Sequence, residues 1–290
     1  MKPIYLLPIA ALTWMSCETI IPFEDEDTQS LITMHAELSE GDSIVAHLSR
    51  SVSILDNGSA PILDSATVRM RLNGGSWDTL THLFMGFYVP MASTGNLFAQ
   101  ANGRYELEAY HRGLDAVNGH ATVPLVPVAL SLDSIDAGEI PYRGWDMPFR
   151  EFTLVMADSG QAGYYRIEAF ERLRGTATIP MYTMSIGSDD ILITNNPGDG
   201  GRVKESLLFS NASFLNSNRS IDVRVFNIYP NSGMEVIFKL TKLDSSAYFY
   251  DVTLNTYKRT GGPFTQPVTV YNNVENGLGV ICAKSSVWVF

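Results

Sequence analysis

The sequence has few of the side chains that most often carry catalysis and metal binding. Its 290 residues include 2 cysteines and 5 histidines, and the last histidine is His120. A hydrolytic site in the second half of the chain would therefore have no histidine to act as its base. The chain also contains no nucleophile elbow, no phosphate-binding loop and no dinucleotide-binding glycine pattern. These absences predict a protein that is not an enzyme and needs no cofactor.

Positive charge is scarce and long apolar runs are missing. The formal net charge is -11, whereas proteins that bind nucleic acid present basic surfaces. An acidic chain is also a poor match for an anionic membrane surface. Behind the first 17 residues, no stretch approaches the ~20 consecutive apolar residues that cross a bilayer as a helix. The sequence thus predicts no nucleic-acid partner and no membrane-spanning helix.

The first residues have the composition of a secretory signal. Lys2 supplies a positive start, and Ile4 to Leu12 form a short, largely apolar run. Ser16 then precedes Cys17, which resembles a bacterial lipobox, where the cysteine becomes the acylated first residue of the mature chain. We predict a signal peptide over 1–16 and a lipid anchor of fatty acyl chains at Cys17. The alternative is an ordinary signal peptide followed by a chance cysteine.

Residues 17–30 are polar and acidic, which predicts a lipidated tether in front of the folded body. The acidic patch from Glu24 to Asp27 resembles the surface-export signal of Bacteroidota lipoproteins, and a solvated linker is the alternative. Several acyl chains hold a protein on a bilayer almost irreversibly, at ~0.8 kcal/mol per buried CH₂. We therefore expect a lipid-anchored protein of the outer membrane that is exposed on the cell surface.

The second cysteine has the surroundings of a core residue. Acylation of Cys17 would leave Cys282 as the remaining thiol and exclude an intrachain disulfide. Cys282 lies in the apolar run Val280–Ala283, where a buried and inert thiol is the expected state. The sequence therefore predicts no nucleophilic cysteine.

Apolar and polar residues alternate from Leu31 onward, which is the pattern of half-buried β-strands. Leu31–Leu38 and Ser43–Ser49 flank the turn Ser39–Asp42 and predict an antiparallel hairpin with even-numbered side chains inward. Similar signals predict further strands at Ala66–Leu72, Phe84–Val89, Arg104–Tyr110 and Gly119–Val123. We interpret residues 31–126 as a β-sandwich similar to immunoglobulin-like and carboxypeptidase-regulatory-type modules.

Pro124 and Pro127 interrupt the alternation, because proline cannot donate to a strand ladder and stiffens the chain. We place a domain boundary there and predict a second β-sandwich over 127–290. Its predicted strands are Glu151–Ala157, Tyr164–Arg172, Ser220–Phe226, Met234–Leu243, Val268–Tyr271 and Leu278–Phe290, the last with a break at Lys284-Ser285.

After Leu243 the spacing of apolar residues changes from the strand period to the helix period. Asp244 is placed to cap a helix that reaches Tyr257 and is ended by Gly261–Pro263. The predicted fold class is therefore all-β, with two β-sandwich domains and one short helix in the C-terminal domain.

Several segments together resemble one family. They are Ile21–Phe23 behind Cys17, Asp64–Val68, Gly163–Ile167, Leu208–Asn211, Ala247–Tyr250 and Pro267–Val280. This pattern resembles Bacteroidota outer-membrane lipoproteins of a domain-of-unknown-function family, encoded beside SusC-like TonB-dependent transporters. Cys282 departs from the resemblance, since the family usually has an aromatic residue near that position. The resemblance implies an outer-membrane location and a transporter partner, and it supplies no catalytic residue.

The segment Asn273–Gly279 is the most specific part of that resemblance. Asn276, Gly277 and Gly279 favour positive φ or a close backbone approach between apolar strands. We predict a tight hairpin or bulge of the sandwich at this point. A contact with a ligand or partner is the alternative.

Two histidines form a candidate metal site. In the predicted hairpin His35 lies opposite His47 on the outer face, where paired Cβ atoms are ~5 Å apart. Neutral imidazoles suit zinc or copper, so the pair is a weak site for either metal. Two solvated strand histidines are the alternative.

A second candidate is a glycan platform. Sugar-binding proteins use exposed aromatic rings, and Trp77 and Trp145 both lie close to turn glycines. We expect these two rings to be exposed, whereas alternation is expected to bury Tyr165 and Trp288.

Loops and strand starts offer weaker signals. The oxygen-rich stretches Ser188–Asp190 and Asn195–Asp199 suit calcium, although polar turn chemistry explains the same residues. Four triplets resemble the short O-glycosylation sequon of Bacteroidota exported proteins, and such triplets also begin strands. They are Asp42-Ser43-Ile44, Asp64-Ser65-Ala66, Asp78-Thr79-Leu80 and Asp133-Ser134-Ile135.

Three functions are compatible with these features. The leading hypothesis is a non-enzymatic accessory of a TonB-dependent transporter, which captures a nutrient or stabilises the barrel. The second is a self-contained surface protein that binds glycan or matrix. The third is a structural subunit of outer-membrane machinery. In each case we expect loops at the sheet ends to carry recognition, since loops do so on rigid sandwiches.

Overall fold

The computed structural model describes residues 29–53, 58–91, 97–142, 144–157, 160–176, 182–190, 193, 203–213, 215, 217–228, 233–259 and 268–290. The predicted signal peptide, Cys17 and nearly all of the tether lie outside the described residues. So do Asn195–Asp199 and the helix stop at Gly261–Pro263. Within the described part, β-strands and one short helix confirm the all-β fold class.

The strands are numbered in chain order. The first eight are β1 (Ile32–Ser39), β2 (Ala46–Arg50), β3 (Thr67–Leu72), β4 (Asp78–Thr79), β5 (Thr81–Phe84), β6 (Phe87–Val89), β7 (Arg104–Tyr110) and β8 (Val117–Thr122). The next five are β9 (Ala129–Tyr142), β10 (Trp145–Met156), β11 (Tyr164–Leu173), β12 (Tyr182–Met184) and β13 (Ile186–Gly187). The last are β14 (Leu207–Ser210), β15 (Arg219–Phe226), β16 (Met234–Leu243) and β17 (Leu278–Val289), with helix α1 (Ser245–Arg259) before β17.

Three sheets contain these strands. A nine-stranded sheet has the order β12-β11-β16-β17-β1-β2-β6-β5, with β14 paired to β11 beside that path. The two other sheets are four-stranded, with the orders β4-β3-β7-β8 and β13-β15-β10-β9. The nine-stranded sheet therefore combines strands from both sides of the predicted domain boundary.

The first hydrophobic core lies between β1, β2, β6 and β17 of the long sheet and the sheet β4-β3-β7-β8. Along β1, alternation buries every second side chain, namely Ile32, Met34, Ala36 and Leu38. Opposing members of the same core are Val68, Met70, Leu107, Ala109, Val117 and Ala121. Burying one side chain of this size contributes ~1.5–3 kcal/mol, so period-two patterning is what holds these two sheets together.

The second core lies between the other half of the long sheet and the sheet β13-β15-β10-β9. From the long sheet it takes Tyr165, Ile167, Ala169, Phe209, Phe238 and Leu240. From the facing sheet it takes Phe152, Leu154, Ile186, Ile221, Val223 and Val225. Each strand again places alternate side chains inward, as a sandwich requires.

Strand β17 belongs to both cores. Its Ile281 and Ala283 lie in the first core, whereas Val289 lies in the second. It pairs parallel with β1 on one side and antiparallel with β16 on the other. The two sandwiches thus share one sheet, and the boundary placed between residues 126 and 127 stays a prediction.

The β1–β2 hairpin confirms the predicted register, with His35 directly opposite His47. The predicted strand Phe84–Val89 is wrong in its extent, because a turn at Met85 (φ 46) and Gly86 (φ 75) separates β5 from β6. Gly86 is required there, since a Cβ would stand 2.5 Å from the carbonyl oxygen of Leu48.

Two further predictions near the end of the chain are wrong. Val268–Tyr271 is not a strand, because the amide of Tyr271 donates to Thr253 Oγ1 of α1 at 2.9 Å instead of to a ladder. The break predicted at Lys284-Ser285 does not occur, and β17 is continuous. Lys284 forms an ion pair with Glu37, and the buried Ser285 hydroxyl donates to the carbonyl oxygen of Pro124 at 2.5 Å. Polar partners therefore keep both residues in the strand.

The segment Asn273–Gly279 confirms the predicted close backbone approach, but it leads into a parallel strand instead of forming a hairpin. A Cβ at Gly279 (φ 117) would lie 2.0 Å from the carbonyl oxygen of Met34. The side chain of Asn273 makes the hydrogen bonds that the backbone of a neighbouring strand would make at this point. Its side-chain amide donates to the carbonyl of Ile281 at 2.7 Å and its side-chain oxygen accepts from the amide of Ile281 at 2.8 Å.

Helix α1 begins where the sequence predicts. The amide of Ala247 donates to Asp244 Oδ1 at 2.7 Å, which is the N-cap bond that satisfies an otherwise unpaired donor of the first turn. In the part of the chain that the structure describes, no helix has the length and hydropathy that a bilayer crossing requires.

Candidate functional site

The outer face of the nine-stranded sheet, which points away from the two cores, has a covered part and an open part. Helix α1 covers the first part and forms a third apolar cluster with the sheet. Its members include Tyr164, Leu208, Leu243, Ala247, Tyr248, Tyr250, Val280 and Cys282. The open part lies toward the C-terminal end of β17, around Trp288.

Trp288 is 37% exposed, so the prediction that alternation buries it is wrong. Val289 lies in the second core and Val287 packs against it, so the ring between them points to the outer face. The ring of Phe170 meets Trp288 edge-on at 5.2 Å between centroids. Lys239, its partner across the strands, places Nζ 5.5 Å from the ring centroid.

A polar depression of ≈ 230 Å³ adjoins this ring, and we call it the Trp288 groove. It is lined by Ser39, Glu40, Asp42, Lys239, Ser285, Ser286 and Trp288. The hydroxyls of Thr241 and Ser286 are 3.0 Å apart on the same face. An aromatic ring beside carboxylates, hydroxyls and an ammonium matches a sugar, which has an apolar C–H face and a rim of hydroxyls.

An ion pair attaches α1 to the covered part of the face. Arg166 Nη1 lies 2.9 Å from Asp251 Oδ2, and both side chains are largely buried. Burial raises the pKa of Asp251 in spite of this arginine. Burial also acts to raise the pKa of Glu37, but the Lys284 ammonium and the nearby Arg166 and His35 together lower it, and the net pKa lies below its usual value. The Arg166–Asp251 pair holds the helix to the sheet, whereas Glu37 and Lys284 link β1 to β17 within the sheet. No pattern in the sequence pairs these residues.

Cys282 is 3% exposed beneath α1, which confirms the predicted buried thiol. Desolvation raises its pKa, and the nearby carboxylates of Glu37, Asp244 and Asp251 act in the same direction. A thiol that resists ionisation is a poor nucleophile and a poor metal ligand.

The rings of the two paired histidines pack against different aromatic neighbours. His35 meets Tyr250 edge-on at 5.4 Å between centroids, and His47 lies tilted against Phe87 at 4.7 Å. Burial lowers the pKa of His35, which keeps its imidazole neutral. Among the residues that the structure describes, no group of three His, Cys, Asp or Glu is placed to hold a metal ion. Metal binding by the pair alone stays a prediction.

Trp77 is half-buried instead of projecting into solvent. The guanidinium carbons of Arg71 and Arg69 lie 4.6 and 5.2 Å from its ring centroid, so cation–π contacts already use part of its surface. Trp145 opens β10 opposite Tyr142, and its side chain lies outside the part that the structure describes. Ligand binding at either tryptophan stays a prediction.

In the calcium candidate Ser188–Asp190, both carboxylates form ion pairs with arginines. Asp189 Oδ2 lies 2.7 Å from Arg224 Nη1, and Asp190 Oδ2 lies 2.9 Å from Arg219 Nη2. Ser188 Oγ accepts from the amide of Asp190 at 3.1 Å, which is the polar turn chemistry considered as the alternative. Calcium binding here stays a prediction.

The four sequon-like triplets all present their hydroxyl residue to solvent. These residues are Ser43, Ser65, Thr79 and Ser134. Accessibility is necessary for modification, and modification itself stays a prediction.

Comparison with known families identifies the family of this chain. The family described as a domain of unknown function, DUF4249, matches residues 18–287. The chain belongs to the DUF4249 family. The match begins directly behind Cys17 and leaves the predicted signal peptide outside the family domain. No curated protein matches this DUF4249 chain.

Solved structures resemble this DUF4249 chain only distantly. Native Escherichia coli alpha-2-macroglobulin shares 12% identity at a TM-score of 0.26, over 91% of this chain and 14% of that chain. The trypsin-activated form shares 13% identity at a TM-score of 0.21, over 75% of this chain and 15% of that chain. The yeast delta-COP-I mu-homology domain in complex with a Dsl1 peptide shares 10% identity at a TM-score of 0.20, over 91% of this chain and 96% of that chain. At these TM-scores the likeness gives no guide to function.

Proposed function

We propose that this DUF4249 protein is a lipid-anchored, non-enzymatic accessory subunit of a SusC-like, TonB-dependent transporter, acting in nutrient uptake at the outer membrane. The family match supports the anchor, because the family domain starts at residue 18, directly behind Cys17. The segments that resemble Bacteroidota outer-membrane lipoproteins support the transporter as partner.

The observation that best supports a protein partner is the long edge strand β9. It ends the order β13-β15-β10-β9, and among the described residues no strand pairs with its outer edge. Apolar side chains are exposed along and just before it, with Val128, Leu130 and Ile135 at 57, 51 and 57%. A strand edge that no other described strand covers, with exposed apolar side chains beside it, is a surface for another protein, and Pro141 limits pairing between copies.

Purification from native membranes tests this function. A tagged full-length chain is isolated from detergent-solubilised outer membrane, and its intact mass reports acylation at Cys17. We expect a TonB-dependent barrel protein at about one copy per chain. Leu130→Asp should reduce its recovery at least ~10-fold, while Leu173→Asp, at a residue of similar exposure (49 against 51%), should retain it. Recovery of a periplasmic chain with a free Cys17 thiol would contradict the proposal, as would a purified complex without a transporter.

Glycan binding is a second candidate, and the Trp288 groove is the observation that favours it. Exposed tryptophans stack on sugar rings, and the groove supplies polar partners within reach of such a ring. Migration in native gels that contain candidate polysaccharides tests this activity. We expect retardation that Trp288→Ala abolishes and Trp77→Ala preserves. Equal retardation of both variants would assign binding elsewhere.

A further inference from the structure

The turn between β5 and β6 exposes a cluster of apolar side chains that neither core uses. Leu83, Phe84 and Met85 follow one another and are 58, 55 and 59% exposed. Ile62, at 41%, lies beside them, since its Cγ2 atom is 2.7 Å from where a Cβ of Gly86 would stand. We call these four residues the apolar tip.

The apolar tip is held in place by hydrogen bonds. The amide of Leu48 donates to the carbonyl oxygen of Gly86 at 2.9 Å. The amide of Gly86 donates in turn to Asp64 Oδ1 at 2.7 Å, and His82 Nε2 lies 2.9 Å from the same oxygen. These bonds fix the turn and thereby hold its apolar side chains at the surface.

Strand register places the apolar tip at the end of the long sheet where the chain enters β1. Leu48, which holds Gly86, pairs with Met34 near the start of β1. The amide of Ser51 donates to the carbonyl oxygen of Leu31 at 2.8 Å, so residues preceding β1 leave from the same end. The order β1-β2-β6-β5 separates the two points by three strand spacings, or ~14 Å.

We propose that the apolar tip inserts into the lipid bilayer interface beside the acyl anchor and fixes the orientation of the body on the membrane. This inference rests on the lipid anchoring in the proposed function. Fourteen residues (18–31) separate Cys17 from β1, and an extended chain spans at most ~3.5 Å per residue, so the tether alone leaves the body free to tumble. A second, apolar contact at the same end removes that freedom.

The shape of the apolar tip favours lipid over a protein groove as its occupant. Leu83 and Phe84 end β5 and Met85 begins the turn, so the three consecutive apolar residues form a protrusion at the tip of the hairpin. A protrusion enters a fluid interface without needing a matching pocket. The orientation also has a consequence for the Trp288 groove. Because β17 runs parallel to β1, Trp288 and Phe290 lie toward the opposite end of the sheet and face away from the bilayer.

Depth-dependent fluorescence quenching tests the insertion. The full-length acylated protein is reconstituted in phosphatidylethanolamine–phosphatidylglycerol vesicles that contain nitroxide-labelled acyl chains. An environment-sensitive fluorophore is attached at Leu83→Cys or, as the matched control, at Phe290→Cys, which is 68% exposed at the far end. The chain without an added cysteine reports any labelling of Cys282. We expect at least ~5-fold stronger quenching at position 83 than at position 290.

The outcomes separate the insertion from the anchor. An acylated protein with equally weak quenching at both positions overturns the insertion and leaves the anchor standing. An intact mass without acyl chains overturns the proposed anchor itself. When the chain is reconstituted together with its co-purified transporter, a fluorophore at position 83 that is shielded from both lipid and water assigns the apolar tip to a protein partner. Ile62→Cys serves as a second probe if Leu83→Cys lowers the unfolding temperature.

Discussion

The two cores of the molecule use their aromatic residues differently. In the first core Tyr88 donates to the carbonyl oxygen of Leu63 at 2.6 Å, and Tyr105 accepts from the amide of Gln100 at 2.9 Å. In the second core aromatic rings pack against one another, as in the edge-on Phe152–Phe238 pair at 5.2 Å between centroids. The first core therefore fixes the loops around it through hydroxyl groups, whereas the second is filled by ring packing.

The cores are nevertheless expected to unfold together, because β17 is shared. The largest effect should come from Gly279→Ala, where a Cβ would lie 2.0 Å from a backbone oxygen of β1. We expect a loss of ~4 kcal/mol or more, or failure to fold, since the parallel pair of β1 and β17 must separate. Chemical denaturation measures it, and Gly113→Ala (φ 82, no atom within 4 Å) should cost only ~1–2 kcal/mol. Equal effects of both variants would contradict the close approach.

Cavities in each core sharpen the comparison. Leu107→Ala opens the first core and Leu240→Ala the second, and each should lower the free energy of unfolding by ~2–5 kcal/mol. If β17 couples the cores, each variant shifts one common transition. Tryptophan fluorescence and far-UV circular dichroism during urea unfolding check this. Two separate transitions in Leu240→Ala would show that the first core stands alone.

Removing one hydroxyl tests the difference in aromatic use. Tyr88→Phe leaves the amide of Ala66 and the carbonyl of Leu63 without their present partner, so we expect a loss of ~1–3 kcal/mol. Amide hydrogen exchange of Leu63–Ala66 should rise in this variant while the second core keeps its protection. Unchanged exchange in that loop would mean that the hydroxyl does not fix it.

The smallest predicted effect depends on pH. Burial raises the pKa of Asp244 to about 6, whereas an unfolded aspartate titrates near ~3.9. The folded state therefore binds the proton more tightly, and the stability this group contributes is present below pH ~4 and lost as the pH rises through about 6. Asp244→Asn keeps a good N-cap and removes the titration. Between pH 4 and 7.5, the free energy of unfolding of the variant should rise by ~1–2 kcal/mol relative to that of the native protein, as measured by urea unfolding.

The strands of residues 31–126 are easier to predict from the sequence than those of residues 127–290. Strands such as β1 and β7 have one buried and one solvent face, so alternation reveals them. Strand β9 was not predicted, because exposed apolar residues and Pro141 remove its period. The pairing of β1 with β17 is also invisible in sequence, since alternation sets which face is buried and not which strand lies beside it.

The candidate site shows the same limit. The opposition of His35 and His47 follows from a short hairpin and was predicted correctly. The Trp288 groove depends on three strands distant in sequence, so its lining residues were not recognised together. The valines on either side of Trp288 were the available signal, because they already supply the core face of β17.

The position of β17 also bears on biosynthesis. Glu37 and Lys284, which pair across the central strands, are 247 residues apart in the chain. A nascent polypeptide leaving the ribosome therefore presents β1 and β16 with their facing edges uncovered until residues 278–289 have been made. Such edges invite pairing with other chains, so chaperones that bind extended segments would have most to protect in the interval before this last strand emerges.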